Sequence, residues 1–139
     1  MLLKLSKLTH FHIPVDDMAR AKRFYSEVFG WNIEATGSAF QIMRTVPVDE
    51  LGVPKEPGAT YGALYKRQRP HDAPSLVIEV PSIDDAIPKV KAAGGKLVTP
   101  KGLVGLFGLL AEITDSEGNL IGIFENVNGS KDLSSLFNR

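Results

Sequence analysis

Residues 9–31 read THFHIPVDDMARAKRFYSEVFGW, and this stretch decides the fold. Alternation through Val15 predicts a strand, Asp16 and Asp17 a tight turn, and the residues to about Phe29 a helix that Asp17 caps. His10, His12 and Pro14 share one parity of the strand, while Phe11, Ile13 and Val15 share the other. On the helix, Met18, Ala21, Phe24, Tyr25, Val28 and Phe29 recur at spacings of three and four, one apolar stripe for the sheet to cover. Gly30 ends the helix in a left-handed turn, and Trp31 leads into a second strand. The two histidines therefore lie on the strand face away from the helix, which is expected to look into a cavity.

Working outward, Trp31–Ala35 and Phe40–Val46 read as strands joined by a hairpin turn over 36–39. Residues 47–58 hold three prolines and two glycines and read as a surface loop. Thr60–Arg67 is a fourth strand. Shifting the frame by 65 residues places Ile13 on Ile78, Val15 on Val80, Met18 on Ile83, Ala21 on Ala86 and Gly30 on Gly95. PSLVIEVPSIDDAIPKVKAAGGKLV thus repeats the strand, turn, helix, glycine and strand of the first half. Ser82 with Asp85 is a capping-box-like helix start, and Pro88 costs that helix one hydrogen bond. Leu109–Thr114 and Leu120–Glu125 supply two closing strands around the turn at 115–119, and Gly122-Ile123-Phe124 echoes Gly62-Ala63-Leu64. Internal duplication accounts for the pattern.

The expected fold class is α+β, two βαβββ repeats at about 5–67 and 74–126, within one domain spanning 1–139, followed by a polar tail at 127–139. One helix per four strands leaves a bare sheet face, and two repeats can pair those faces as curled sheets enclosing a small-molecule cavity. The apolar, glycine-rich run TPKGLVGLFGLL at 99–110 reads as a loop. It serves either as a lid, with Leu106 or Phe107 reaching in, or as a contact with a second subunit.

Sixteen basic and sixteen acidic side chains cancel, without the basic excess of a nucleic-acid binder. There is no cysteine for disulfide or thiolate chemistry. No apolar run is long enough for a membrane span, and MLLKLSKL is too short and lysine-interrupted for a signal peptide. The expectation is a cytoplasmic protein that binds a small molecule as a homodimer, with neither nucleic acid nor membrane as partner.

HFHIPVDDMARAKRFYSEVFGW, GALYKRQRP, PSLVIEVPSIDDAIPKVKAAGGKLVTP and DSEGNLIGIFEN, in that order, resemble the βαβββ modules of the vicinal oxygen chelate superfamily. Its members include glyoxalase I, bleomycin-resistance proteins, fosfomycin-resistance enzymes and extradiol dioxygenases. The resemblance implies a divalent metal held by one residue from the opening and one from the closing strand of each module. The matching positions here are His10, Gly62, Ser75 and Gly122, of which only His10 is a competent ligand. The chain therefore resembles the metal-less, glyoxalase-like branch, and no cofactor is expected.

The cavity-lining set on this reading is His10, His12, Ser75, Val77, Glu79, Leu106, Phe107, Gly122 and Phe124. His12 with Glu79 forms a candidate acid–base pair for metal-free catalysis. The alternative is a metal-dependent lyase or dioxygenase with an irregular donor set of His10, His12 and Glu79. With Gly62 inward by the family pattern, Tyr61 and Tyr65 are expected to face the helix or solvent. Lys66, Arg67, Arg69 and His71 form a basic run that either receives an anion or is merely solvated.

Overall fold

The computed structural model describes residues 5–36, 39–51, 53–104 and 108–127. The chain divides into two units, residues 9–75 and residues 1–8 with 76–139. Each carries one four-stranded sheet and one helix, so the α+β class and the two βαβββ repeats are as expected.

In the first unit, β1 (Leu8–Val15) leads into α1 (Met18–Phe29), then β2 (Asn32–Ala35), β3 (Phe40–Arg44) and β4 (Tyr61–Lys66). The sheet order is β2-β3-β4-β1, antiparallel except for the parallel pair β1 and β4. Asp17 is the N-cap of α1, its side chain accepting from the Arg20 N–H at 3.0 Å, and Gly30 closes the helix at φ 71°. Val15, Met43 and Leu64 form the buried core, against which Phe11, Ile13, Met18, Ala21 and Tyr25 pack.

The apolar stripe of α1 is wider than the sheet that receives it. Met18, Ala21 and Tyr25 meet the core, whereas Phe24, Val28 and Phe29 remain about half exposed, correcting the expectation that all six are covered. At 100° per residue, Phe24 and Val28 lie on one margin of the stripe and Phe29 on the other, so four strands reach only its middle.

In the second unit, β5 (Ser75–Glu79), α2 (Ile83–Ala92), β6 (Lys96–Val104), β7 (Gly108–Thr114) and β8 (Leu120–Asn126) repeat the scheme in the sheet order β6-β7-β8-β5. Here β5 and β8 are the parallel pair. Ile83, Ala86, Ile87 and Val90 recur at helical spacing and meet Ala111, Ile113 and Ile123. Residues 99–104 and Gly108, expected in a loop, are strand residues of the β6–β7 hairpin, which Leu109 continues as expected. Cross-strand pairing supplies the order that their local pattern does not announce. Leu106 and Phe107 lie outside the described residues.

The start of α2 has two acceptors. Ser82 Oγ accepts from the Asp85 N–H at 3.1 Å, and Glu125 Oε1, reaching across from β8, accepts from the Ile83 N–H at 2.9 Å. A carboxylate there satisfies an orphan donor and faces the positive helix end. Glu125→Ala is expected to cost about 1–2 kcal/mol in urea denaturation, with Glu125→Gln losing only part of it. An unchanged midpoint in both variants would remove this role.

Candidate binding face

In the first unit, the sheet face opposite α1 is built by register. Parallel pairing puts Tyr61 beside His10, Ala63 beside His12 and Tyr65 beside Pro14. On the other side of β4, Phe40 lies opposite Tyr65 and Ile42 opposite Ala63. Five rings from three strands thus share one face: His10, His12, Phe40, Tyr61 and Tyr65.

His10 stacks on Tyr61 with centroids 5.4 Å apart and planes 9° from parallel, and lies 5.2 Å from the His12 ring. His12 approaches Phe40 at 4.8 Å and Tyr65 at 6.1 Å, edge-on to the latter. Phe40 sits on β3 and His12 on β1, so these rings meet above β4, where Ala63 presents only a methyl group. His10 Nδ1 and Thr9 Oγ1 share a hydrogen bond of 3.0 Å. His12 is only 7% exposed. Among the described residues it has these ring neighbours and no hydrogen-bond partner.

Burial keeps both imidazoles neutral. It lowers the His10 pKa from 6.5 to about 4 and that of His12 to about 3, the neighbouring His10 adding to the second shift. A neutral imidazole offers one donor and one acceptor nitrogen, and the rings around it offer apolar surface. At the outer edge, Arg44 pairs with Glu34 at 2.7 Å, so the face carries a cation already matched by an anion.

The structure reverses the orientation expected for the tyrosines. A Cβ on Gly62 would lie 2.5 Å from the Phe11 ring, on the α1 side, and Leu64 of the same parity is fully buried in the core. Tyr61 and Tyr65 therefore share the histidine face, and sequence reading missed both. The signal was their common parity with Ala63, but alternation alone does not tell which parity faces the helix.

On the second sheet, Val77 and Gly122 are register partners, as are Glu79 and Phe124, and Leu110 lies opposite Phe124. A Cβ on Gly122 would lie 3.1 Å from Val77 Cγ2 and 3.4 Å from Leu110 Cδ1. Ile121 and Ile123, of the opposite parity, pack with α2, so Val77, Glu79, Gly122 and Phe124 occupy the face away from it. Ser75 begins β5 on the same parity. Glu112, opposite Gly122 on β7, shares that face and bonds Thr99 Oγ1 at 2.7 Å; it was not among the expected residues.

The basic run after β4 is largely engaged with neighbouring acids. Arg67 donates to Asp16 at 2.8 Å and to the Asp72 carbonyl, and Arg69 pairs with Asp72 at 2.9 Å. Asp72 is 5% exposed; burial opposes its charge, but N–H groups of Gln68 and Arg69 and the Arg69 side chain outweigh this and lower its pKa.

The donor set does not fit the divalent metal that the resemblance implies. Gly62 points into the helix-side core and Gly122 toward aliphatic groups, so neither closing strand offers a ligand atom at the matching place. Among the described residues, no three of histidine, aspartate and glutamate gather as a group able to hold an ion.

Residues 7–45 match the family described as bleomycin resistance protein-like N-terminal. The glyoxylase-named protein CFP32 of Mycobacterium bovis is 27% identical over 118 residues, covering 78% of this chain and 41% of that protein. The chain thus spans less than half the length of this relative. A glyoxalase/bleomycin resistance protein/dioxygenase superfamily member from Vibrio splendidus aligns with a TM-score of 0.54 at 13% identity, covering 88% of this chain and 99% of the other. The chain is similar to proteins of the glyoxalase, bleomycin-resistance and dioxygenase group and shares their fold. Methylmalonyl-CoA epimerase from Mycobacterium tuberculosis has the same fold, with a TM-score of 0.59 at 18% identity over 86% of this chain and 87% of its own. The chain's curated relatives carry glyoxylase names, and no helix among the described residues is long and apolar enough to cross a membrane.

Proposed function

We propose that this chain binds a small organic molecule on the ring-lined face of its first sheet, and does so without a catalytic divalent metal. The observation that carries the reading is His12: a nearly buried, neutral imidazole, bordered by Phe40, Tyr65 and His10, with no hydrogen-bond partner among the described residues. The ring nitrogens keep enough access to meet an incoming group, and a ligand hydrogen bond to this imidazole is worth about 0.5–1.5 kcal/mol. The apolar surroundings favour a planar or apolar ligand body carrying one donor or acceptor.

Binding fits these groups better than acid–base catalysis. A general base works best with a pKa near the operating pH, and His12 lies far below it. Glycine at both closing-strand positions supports the metal-free reading. The superfamily's lyases and dioxygenases need donors at those places.

The test is a fragment screen by ligand-observed NMR in EDTA, followed by titration calorimetry. A hit is expected to weaken at least about tenfold in His12→Phe, equivalent to about 1.4 kcal/mol. Thermal melts should show the variant folded. Hits that bind only after zinc or manganese is added, or that ignore His12→Phe, would overturn the proposal.

A further inference from the structure

The margin of α1 that the sheet leaves uncovered carries a pattern of its own. Phe24 is 51% and Val28 57% exposed, although both are large apolar side chains on a well-capped helix. At 100° per residue, Arg20 and Glu27 lie within about 60° of Phe24 and complete one stripe along the helix. Arg20 is placed one turn before Phe24, and Glu27 nearly one turn after it. Among the described residues, neither Arg20 nor Glu27 takes part in an ion pair.

This order is complementary to itself when reversed. Two copies of α1 running antiparallel about a two-fold axis at Phe24 set Phe24 against its counterpart. The same arrangement brings Arg20 of each copy over Val28 and Glu27 of the other. The arginine stem covers the valine while its guanidinium meets the glutamate, twice per pair. We propose that the Phe24–Val28 margin of α1 is a homodimer contact, with a second copy of this chain as its occupant and reciprocal Arg20–Glu27 pairs setting its register. The patch is small, so the dimer is weak and forms in a concentration-dependent way.

Sedimentation velocity from about 5 to about 500 µM tests this, a range that brackets a micromolar dissociation constant. Wild type is expected to shift from monomer to dimer across it. Phe24→Ser should abolish the shift while melting as a folded protein, because the side chain is half exposed. Arg20→Glu should weaken dimerisation about tenfold or more by facing glutamate with glutamate, and Arg20→Glu with Glu27→Arg should restore it. A wild type that stays monomeric at the highest concentration overturns the proposal. So does a dimer indifferent to Phe24→Ser, or a double charge reversal that fails to rescue. Binding of a fragment to the His12 face is read separately, so either result stands without the other.

Discussion

Lowering the pH below about 6.5 is expected to destabilise this protein well before its carboxylates begin to titrate. In the unfolded chain both imidazoles take up protons near 6.5, whereas in the folded chain His10 does so near 4 and His12 near 3. Between those values the unfolded state holds up to two more protons, so stability falls as pH falls. The histidine contribution is fully present above 6.5. The share of His10 levels off near 4 and that of His12 near 3. Each ring can contribute a slope of up to about 1.4 kcal/mol per pH unit. Charging both would also place two cations on rings 5.2 Å apart. Urea denaturation between about pH 7.5 and 5 reads this slope, since carboxylates titrate below that window. Replacing both histidines by phenylalanine should flatten it. A wild-type slope no steeper than that of the double variant would mean that the rings are not held neutral.

Leu64→Ala carries one of the largest expected losses among single substitutions in the first unit. Leu64 is fully buried on the α1 side of β4, between Val15 and Met43. Truncation removes buried methyl and methylene groups and leaves a cavity that the flanking strands cannot close, costing about 3–5 kcal/mol. Phe24→Ala removes a larger side chain from the same unit, yet should cost much less to the monomer because half of that ring is already in water. Chemical denaturation of the two variants at low protein concentration gives the comparison. Equal losses would contradict the uneven burial of α1.

Much of this architecture is legible in the residues. The 65-residue offset, the Asp17 and Ser82 caps and the left-handed Gly30 each follow from local chemistry, and each is found. So is the parity that sets His10 and His12 apart from Phe11 and Ile13. What was hidden depends on partners far away in the chain. YGALYK is apolar on both parities, so which side meets the helix is decided by the pairing of β4 with β1, about fifty residues earlier. Carrying the family's ligand position onto Gly62 chose the wrong side and set Tyr61 and Tyr65 aside. The 99–110 run shows no clear alternation, and its strands exist through pairing with each other and with β8. The six-residue stripe of α1 is apolar throughout, but helical spacing carries no information about how broad the receiving sheet is.

Gly108 begins β7 opposite Asn126, and a Cβ there would overlap the edge of the Phe124 ring, 2.1 Å from its Cε1. The aromatic side chain of one strand thus fills the room that a side chain on its neighbour would take. Enlarging position 108 alone creates an overlap, and trimming position 124 alone opens a void, because packed interiors spare no volume for either. The two residues are in effect a single side chain shared between two strands.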